Sequence, residues 1–282
     1  MAQFDRLVRF RDVLGHIHHG EASKIPWEAD LVGKTVPIYS GVDPWDENFR
    51  LTDEEATISE VLSPLTSVPI IHGIGLNYRE HAKEGDVPIP PHPIVFTKCA
   101  DTLAGPYEDI PINKEALLLD YEGELCIVIG KDCKNLSPDD DPSEFVLGYT
   151  VGNDVSSRYW QQQQHGGGQH GYAKSFDKFA PLGPSISSRI VIPDPGALSL
   201  KTWVNGELRQ SASTDDLIFD VRTIIRHLTR GMTLRRGSVI MTGTPSGVGI
   251  VRNPPSILKD GDIVEIEISK IGRIKNKMMF EN

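Results

Sequence analysis

The sequence predicts a mainly β protein with some α-helix, an α+β chain in which a small N-terminal β-rich unit leads into a larger one. Three observations predict this. From Ile70 onward the apolar residues fall in runs of roughly four to eight cut by Gly and Pro, the length of strands rather than helices. Leu200 to Val204 and Glu207 to Gln210 flank Asn205-Gly206, a residue pair suited to a two-residue hairpin turn. Only one stretch, roughly Asp216 to Thr229, repeats apolar residues at clear helical spacing.

Taken in order, the elements follow from local pattern. With 282 residues, 39% of them hydrophobic, and no apolar run of about eighteen residues, the chain reads as soluble and globular, one large domain or one plus a small one. Phe4 to Arg11 alternates loosely between apolar and basic residues, and Thr35 to Ser40 is a second strand-like stretch, with Gly, Pro and acidic turns around them. Thr52 to Ile58 reads as a short helix. Ser63 to Pro69, SPLTSVP, reads as a linker, so the expected division is residues 1–67 for the N-terminal unit and 68–282 for the main one. In the Asp216 to Thr229 helix, Ile218, Val221, Ile225 and Leu228 form the apolar stripe, Asp215 and Asp216 sit at its start and Gly231 follows. Ile263 to Ser269 alternates acids with Val264, Ile266 and Ile268 after a Gly261-Asp262 turn and reads as a strand. No internal repeat is evident.

Composition narrows the partners. A net charge of −10 argues against nucleic acid or an anionic membrane, and a small anionic substrate would need a metal or local Lys and Arg. Cys99, Cys126 and Cys133 show no metal-ligand spacing and read as reduced thiols inside a cell, with Cys126 in the core. The N-terminus MAQFDRLVRFRD is too charged for a secretory signal and its acids suit an organellar presequence poorly, which leaves the cytoplasm as the expected location. Two glycine patterns carry no nucleotide site. IIHGIGLNY lacks the third glycine of a dinucleotide fingerprint, and TGTPSGVG lacks the lysine of a phosphate loop. The second reads as a loop whose backbone approaches a ligand.

The chemistry concentrates in Asp120 to Gly130, DYEGELCIVIG. In an extended strand Asp120, Glu122 and Glu124 fall on one face, where like charges repel. A strand apolar enough to be buried carries such a row when a cation neutralises it; the alternative is an exposed strand end with solvated acids. Asp154 ends the apolar stretch Phe145 to Gly152 in GYTVGNDVSSR and offers a third carboxylate. Carboxylates on two strands suit a hard cation such as Mg²⁺. His16, His18 and His19 read as a solvated tract rather than a zinc site. In NYREHAKE one helical turn places His81 and Glu84 at i and i+3, a general-base dyad in outline, against the alternative of an incidental surface histidine. Gln161 to Tyr172 reads as a mobile polar loop, and Lys174 beyond it stands where it could reach an anionic intermediate.

In order and at similar spacing, GLNYREHAKE, DYEGELCIVIG, VGNDVSSRYWQ, AKSFDKFAPLGP and VIMTGTPSGVG resemble the motifs of the fumarylacetoacetate hydrolase family, over about Pro69 to Asn282. The N-terminal part resembles, more loosely, the small leading domain of the acylpyruvase-type members. The resemblance implies that family's mixed β-sandwich roll, typically a homodimer. It implies Glu122, Glu124 and Asp154 as ligands of Mg²⁺ or Mn²⁺, His81 and Glu84 as a dyad on a lid, and Lys174 as the active-site lysine. Arg158 and Gln161 stand at substrate-contacting positions, and Thr244 at a contact to the substrate carboxylate. Asp120 matches no ligand, and TKCAD departs from the family's Lys-Pro form, which weakens Lys98.

These residues make chemical sense together. Three carboxylates leave a metal open positions for a 2-oxo acid. Water deprotonated by His81 can attack a carbonyl at the 4-position, and the C3–C4 bond then breaks to an enolate whose charge falls on the metal and Lys174. The leading expectation is a divalent-metal-dependent hydrolase cleaving a C–C bond in a 3-acylpyruvate or related diketo acid through a metal-bound enolate. Decarboxylation of an oxaloacetate-type 2-oxo acid, and isomerisation or hydration of a 2-hydroxy-dienoate, use the same residues. The alternative outside enzymology is a catalytically silent metabolite-binding protein, which the loss of a ligand would favour.

Overall fold

Strands that are apolar on both faces must be covered on both faces. In the computed structural model, which describes residues 4–281, Gly123–Ile129, Val146–Asn153 and Ala180–Ser188 are buried at every position. They lie side by side in an eleven-stranded mixed sheet. Alternation along Gly123–Ile129 splits its side chains between two cores. Leu125, Ile127 and Ile129 join Val264, Ile266, Ile268 and Ile274 of a second sheet, while Cys126 and Val128 join Leu7, Ile71, Leu182 and Val239 on the opposite face. Val239–Met241 continues the large sheet beside Gly123–Ile129, followed by Ile71–Gly75 in parallel and Ile94–Lys98 at the edge. The second, five-stranded sheet runs Glu207–Ser213, Ser199–Val204, Ile263–Ile268, Gly272–Phe280 and Ile110–Ile112.

The N-terminal strands extend the large sheet at its other end. Arg6–Asp12 pairs with Ala180–Ser188 through Arg6↔Ser187 and Leu7↔Ile186. It also pairs with Ile17–Glu21 and Leu51–Val61. Val8, Phe10, Val36, Ile38, Ile58 and Val61 form a separate cluster there.

The expected mainly β, α+β architecture holds, and two local expectations change. Thr52 to Ile58 is not a helix but part of the strand Leu51–Val61, paired with Thr35–Tyr39 through Thr35↔Thr57 and Val36↔Ala56. The acidic run Asp53-Glu54-Glu55 favours a helix locally, but the β-branched Thr52, Thr57, Ile58 and Val61 gain more from cross-strand packing. The helix expected from Asp216 starts later, at Val221–Leu228, because Asp220 accepts the N–H of Thr223 at 2.7 Å and caps it. Thr214–Asp216 is a separate 3₁₀ turn. The hairpin stands as expected, with Asn205 and Gly206 at φ 52° and 80° between Val204 and Glu207.

Candidate active site

The site forms where strands end. Gly123–Ile129 pairs with Val146–Asn153 through Gly123↔Asn153 and Glu124↔Gly152, and beyond that ladder the N–H of Asp154 bonds the carbonyl of Glu122 at 2.9 Å. This register brings one carboxylate oxygen each from Glu122, Glu124 and Asp154 within 4.8 Å of one another. All three residues are buried, so the reading of solvated acids at a strand end is set aside. Asp120 does not join them. The strand is interrupted between Leu119–Asp120 and Gly123–Ile129, and the Asp120 carboxylate turns to accept the N–H groups of Gly249 at 2.8 Å and Ile250 at 3.0 Å and Arg158 Nε at 2.8 Å.

Buried charges must be paired. Lys174 Nζ lies 2.9 Å from Glu122 and 2.5 Å from Asp154. Arg158 Nη1 lies 2.7 Å from Glu122. Lys98 donates to Asp154 at 2.5 Å and to the carbonyl of Phe179 at 2.6 Å. Burial disfavours the charge on Glu122, but Lys174 and Arg158 outweigh it and hold that carboxyl well below the usual range. Glu124 goes the other way: burial pushes its pKa far up, and the charges of Asp154 and Glu122 add to the push. Among the described residues its carboxylate accepts one hydrogen bond, from the N–H of Gly243 at 2.6 Å. The cluster is therefore short of a positive charge at the point where three carboxylate oxygens converge, and a hard divalent cation fits that donor set.

The Gly-rich loop after Val239–Met241 positions acids with its backbone. Its N–H groups bond Glu124 from Gly243, Glu84 from Gly247 at 3.0 and 3.2 Å, and Asp120 from Gly249. Glu84 ends the helix Arg79–Glu84, and its carboxylate accepts from His81 Nδ1 at 3.0 Å. The expected dyad is thus geometrically formed, and His81 is close enough for its charge to favour ionised Glu122. Thr244 is buried; its hydroxyl donates to the carbonyl of Gly123 at 3.0 Å and accepts from Gln210 Nε2 at 2.8 Å.

Residues 158–174 fold over the carboxylates. Arg158–Gln161 and Gln163–Gly166 are short helices, the second of them inside the Gln161 to Tyr172 segment that reads from sequence as a mobile polar loop. Arg158 Nη1 donates to Gln161 Oε1 at 3.0 Å. The neighbouring donors Arg158 Nη2 and Gln161 Nε2 are buried with no hydrogen-bond partner among the described residues. Local sequence gives only a weakened signal for Lys98, whose importance depends on a partner distant in sequence, and misses two further residues: His170, stacked on Phe96 at 5.5 Å between centroids, and Tyr78, whose buried hydroxyl lacks a partner among the described residues. Lys174 Nζ lies 5.0 Å from the centroid of the same Phe96 ring. The basic residue in TKCAD was the one available signal for Lys98; nothing local singled out the other two.

Residues 70–279 match the model of the fumarylacetoacetate (FAA) hydrolase C-terminal domain. The chain belongs to the fumarylacetoacetate hydrolase family. Among its relatives, a mitochondrial oxaloacetate tautomerase of Xenopus laevis is 42% identical over 219 residues, 78% of this chain and 68% of the relative. A fumarylacetoacetate hydrolase domain-containing protein of Dictyostelium discoideum is 44% identical over 258 residues, 88% of this chain and 81% of the relative. A 2-hydroxyhepta-2,4-diene-1,7-dioate isomerase of Mycobacterium marinum has a similar structure, with a TM-score of 0.80, 31% identity and 99% of both chains covered. Members of the fumarylacetoacetate hydrolase family act on small-molecule acids and generally bind a divalent metal.

Proposed function

We propose that this protein is a divalent-metal-dependent enzyme that interconverts the keto and enol forms of a small 2-oxo dicarboxylic acid of the oxaloacetate type. The observation that carries the reading is the pair of buried, unpartnered donors Arg158 Nη2 and Gln161 Nε2 beside three carboxylates short of a cation. Unpaired buried donors are costly, and a substrate carboxylate would satisfy both. The names of the tautomerase and isomerase relatives favour enol chemistry over other uses of such a site.

A cation held by Glu122, Glu124 and Asp154, Mg²⁺ or Mn²⁺ in this reading, would supply an electron sink for a 2-oxo acid. Arg158 and Gln161 would orient a substrate carboxylate, and Thr244 would line the same pocket. His81 would take a proton from the substrate carbon and return one to it, with Glu84 holding the imidazole and balancing its charge. Lys174 would offset negative charge developing on the substrate oxygen. Lys98 would keep Asp154 in place. The reading also takes the protein to be a homodimer.

Hydrolytic C–C cleavage of a 3-acylpyruvate is the second reading. It is favoured by the tether of Glu84 to Gly247, which fixes the dyad as a water-activating base would need. One experiment compares the two. Ketonisation of enol-oxaloacetate is followed by ultraviolet absorbance, and pyruvate release from acetylpyruvate by a coupled assay, both with Mg²⁺. Faster ketonisation with little pyruvate release supports tautomerisation; the reverse supports hydrolysis. His81→Ala should lower the favoured rate about 10²–10⁴-fold. Wild-type rates in His81→Ala on both substrates would sink the dyad assignment, and background rates of the wild-type protein on both would sink the reading itself.

A further inference from the structure

A second group of metal-ligating side chains lies far along the large sheet, in the N-terminal hairpin. Asp12 ends the strand Arg6–Asp12, and His16 and His18 flank the start of Ile17–Glu21. One atom each of Asp12, His16 and His18 lies within 4.8 Å of the others. Asp12 Oδ2 is 2.9 Å from His18 Nε2 and 3.5 Å from His16 Nδ1. Bonds of about 2.0–2.2 Å to zinc, at angles between octahedral and tetrahedral, place neighbouring donor atoms about 2.8–3.6 Å apart. Both distances fall within that range.

The group is also held in place. Asp12 Oδ1 accepts the N–H groups of Leu14 and His16, each at 2.8 Å, which fixes the carboxylate and leaves Oδ2 facing the imidazoles. The His18 ring packs on Phe10 at 5.6 Å between centroids. The side chains of Asp12 and His18 are 8% and 21% exposed, while that of His16 is 69% exposed. The histidine tract is therefore not uniformly solvated as the sequence led us to expect: His19 is buried against Phe49, and His18 is turned toward Asp12. Imidazole with one carboxylate suits a borderline ion rather than Mg²⁺.

We propose that Asp12, His16 and His18 form a zinc site, separate from the carboxylate cluster, that clamps the N-terminal hairpin. Two backbone-anchored or packed ligands and one exposed ligand make a site for the ion, with water completing the coordination.

The test titrates Zn²⁺ against a fluorescent chelator, using the full chain in excess Mg²⁺ so that the carboxylate cluster is occupied by the harder ion. Wild type should hold one zinc that His16→Ala and His18→Ala each weaken by on the order of tenfold or more. Zinc should also raise the melting temperature of wild type but not of His16→Ala, an exposed position whose loss should leave the zinc-free melting temperature unchanged. Equal zinc affinity and stoichiometry in wild type, His16→Ala and His18→Ala would overturn the proposal, as would the absence of zinc binding by the wild-type protein. Because neither readout involves turnover, the outcome does not depend on the reaction at the carboxylate cluster.

Discussion

At the scale of single residues, Asp120 shows how position in a motif and role in a structure separate. Alternation places it beside Glu122 and Glu124, yet its carboxylate holds Arg158 and the turn at Gly249 and Ile250. In the proposed reading it would act on substrate only through Arg158. Asp120→Asn keeps one acceptor but loses the charge, so it should cost about 1–3 kcal/mol of stability and raise KM more than it lowers kcat. Unchanged KM and melting temperature would remove Asp120 from this role. His72 gives a pH prediction of known sign. It is buried with Nδ1 unpartnered, and burial lowers its pKa. The unfolded chain takes up the proton first, near pH 6.5, so stability should fall as pH drops below about 6.5, by at most about 1.4 kcal/mol per pH unit. Melting curves of wild type and His72→Leu from pH 7.5 to 5.5 check this, since only wild type should show that component.

At the scale of elements, the strand Ile71–Gly75 supports the site without contributing a catalytic group. Gly73 pairs with Phe96, and the Phe96 ring lies so close over it that an added Cβ would come within 2.1 Å of the ring. That ring carries Lys174 on one contact and His170 on another. Gly73→Ala should therefore displace Phe96 and lower kcat about tenfold or more, since small misplacements at a site are costly, while the protein still folds with a reduced melting temperature. Wild-type kcat in Gly73→Ala would show that Phe96 does not position Lys174. The elements most legible in the sequence were those with a local signal: the Asn205-Gly206 hairpin, the alternating strand at Ile263, and the single helical turn joining His81 to Glu84. Thr52 to Ile58 was misread because its partners, Thr35–Tyr39 and Arg6–Asp12, decide its conformation, and the helix at Val221 was started too early because several acids competed for the cap.

At the scale of the whole molecule, the fold buries three converging carboxylates, and Glu124 among them has no basic partner among the described residues, a cost that a bound cation would offset. Glu124→Gln removes the carboxylate whose ionisation burial, Asp154 and Glu122 oppose, and its carbonyl can still accept from Gly243. It should raise the melting temperature of the metal-free protein and abolish the shift produced by Mg²⁺. For wild type that shift should reach about 2.7 kcal/mol at a hundredfold excess over Kd. A Mg²⁺ shift of wild-type size in Glu124→Gln would exclude Glu124 as a ligand.

Alternation, turn chemistry and ordered motifs are local properties of a chain, so the β texture, the family and most residues that carry charge into the site are legible without the fold. Folding alone takes Asp120 out of the acidic row, pairs Lys98 with Asp154 fifty-six positions away, and leaves Arg158 and Gln161 each with a donor that has no partner among the described residues. Those facts arise from the register of Gly123–Ile129 against Val146–Asn153 and from the fold of residues 158–174 over both. Burial turns that geometry into energy, since a charge or donor removed from water must find its partner wherever the fold places one.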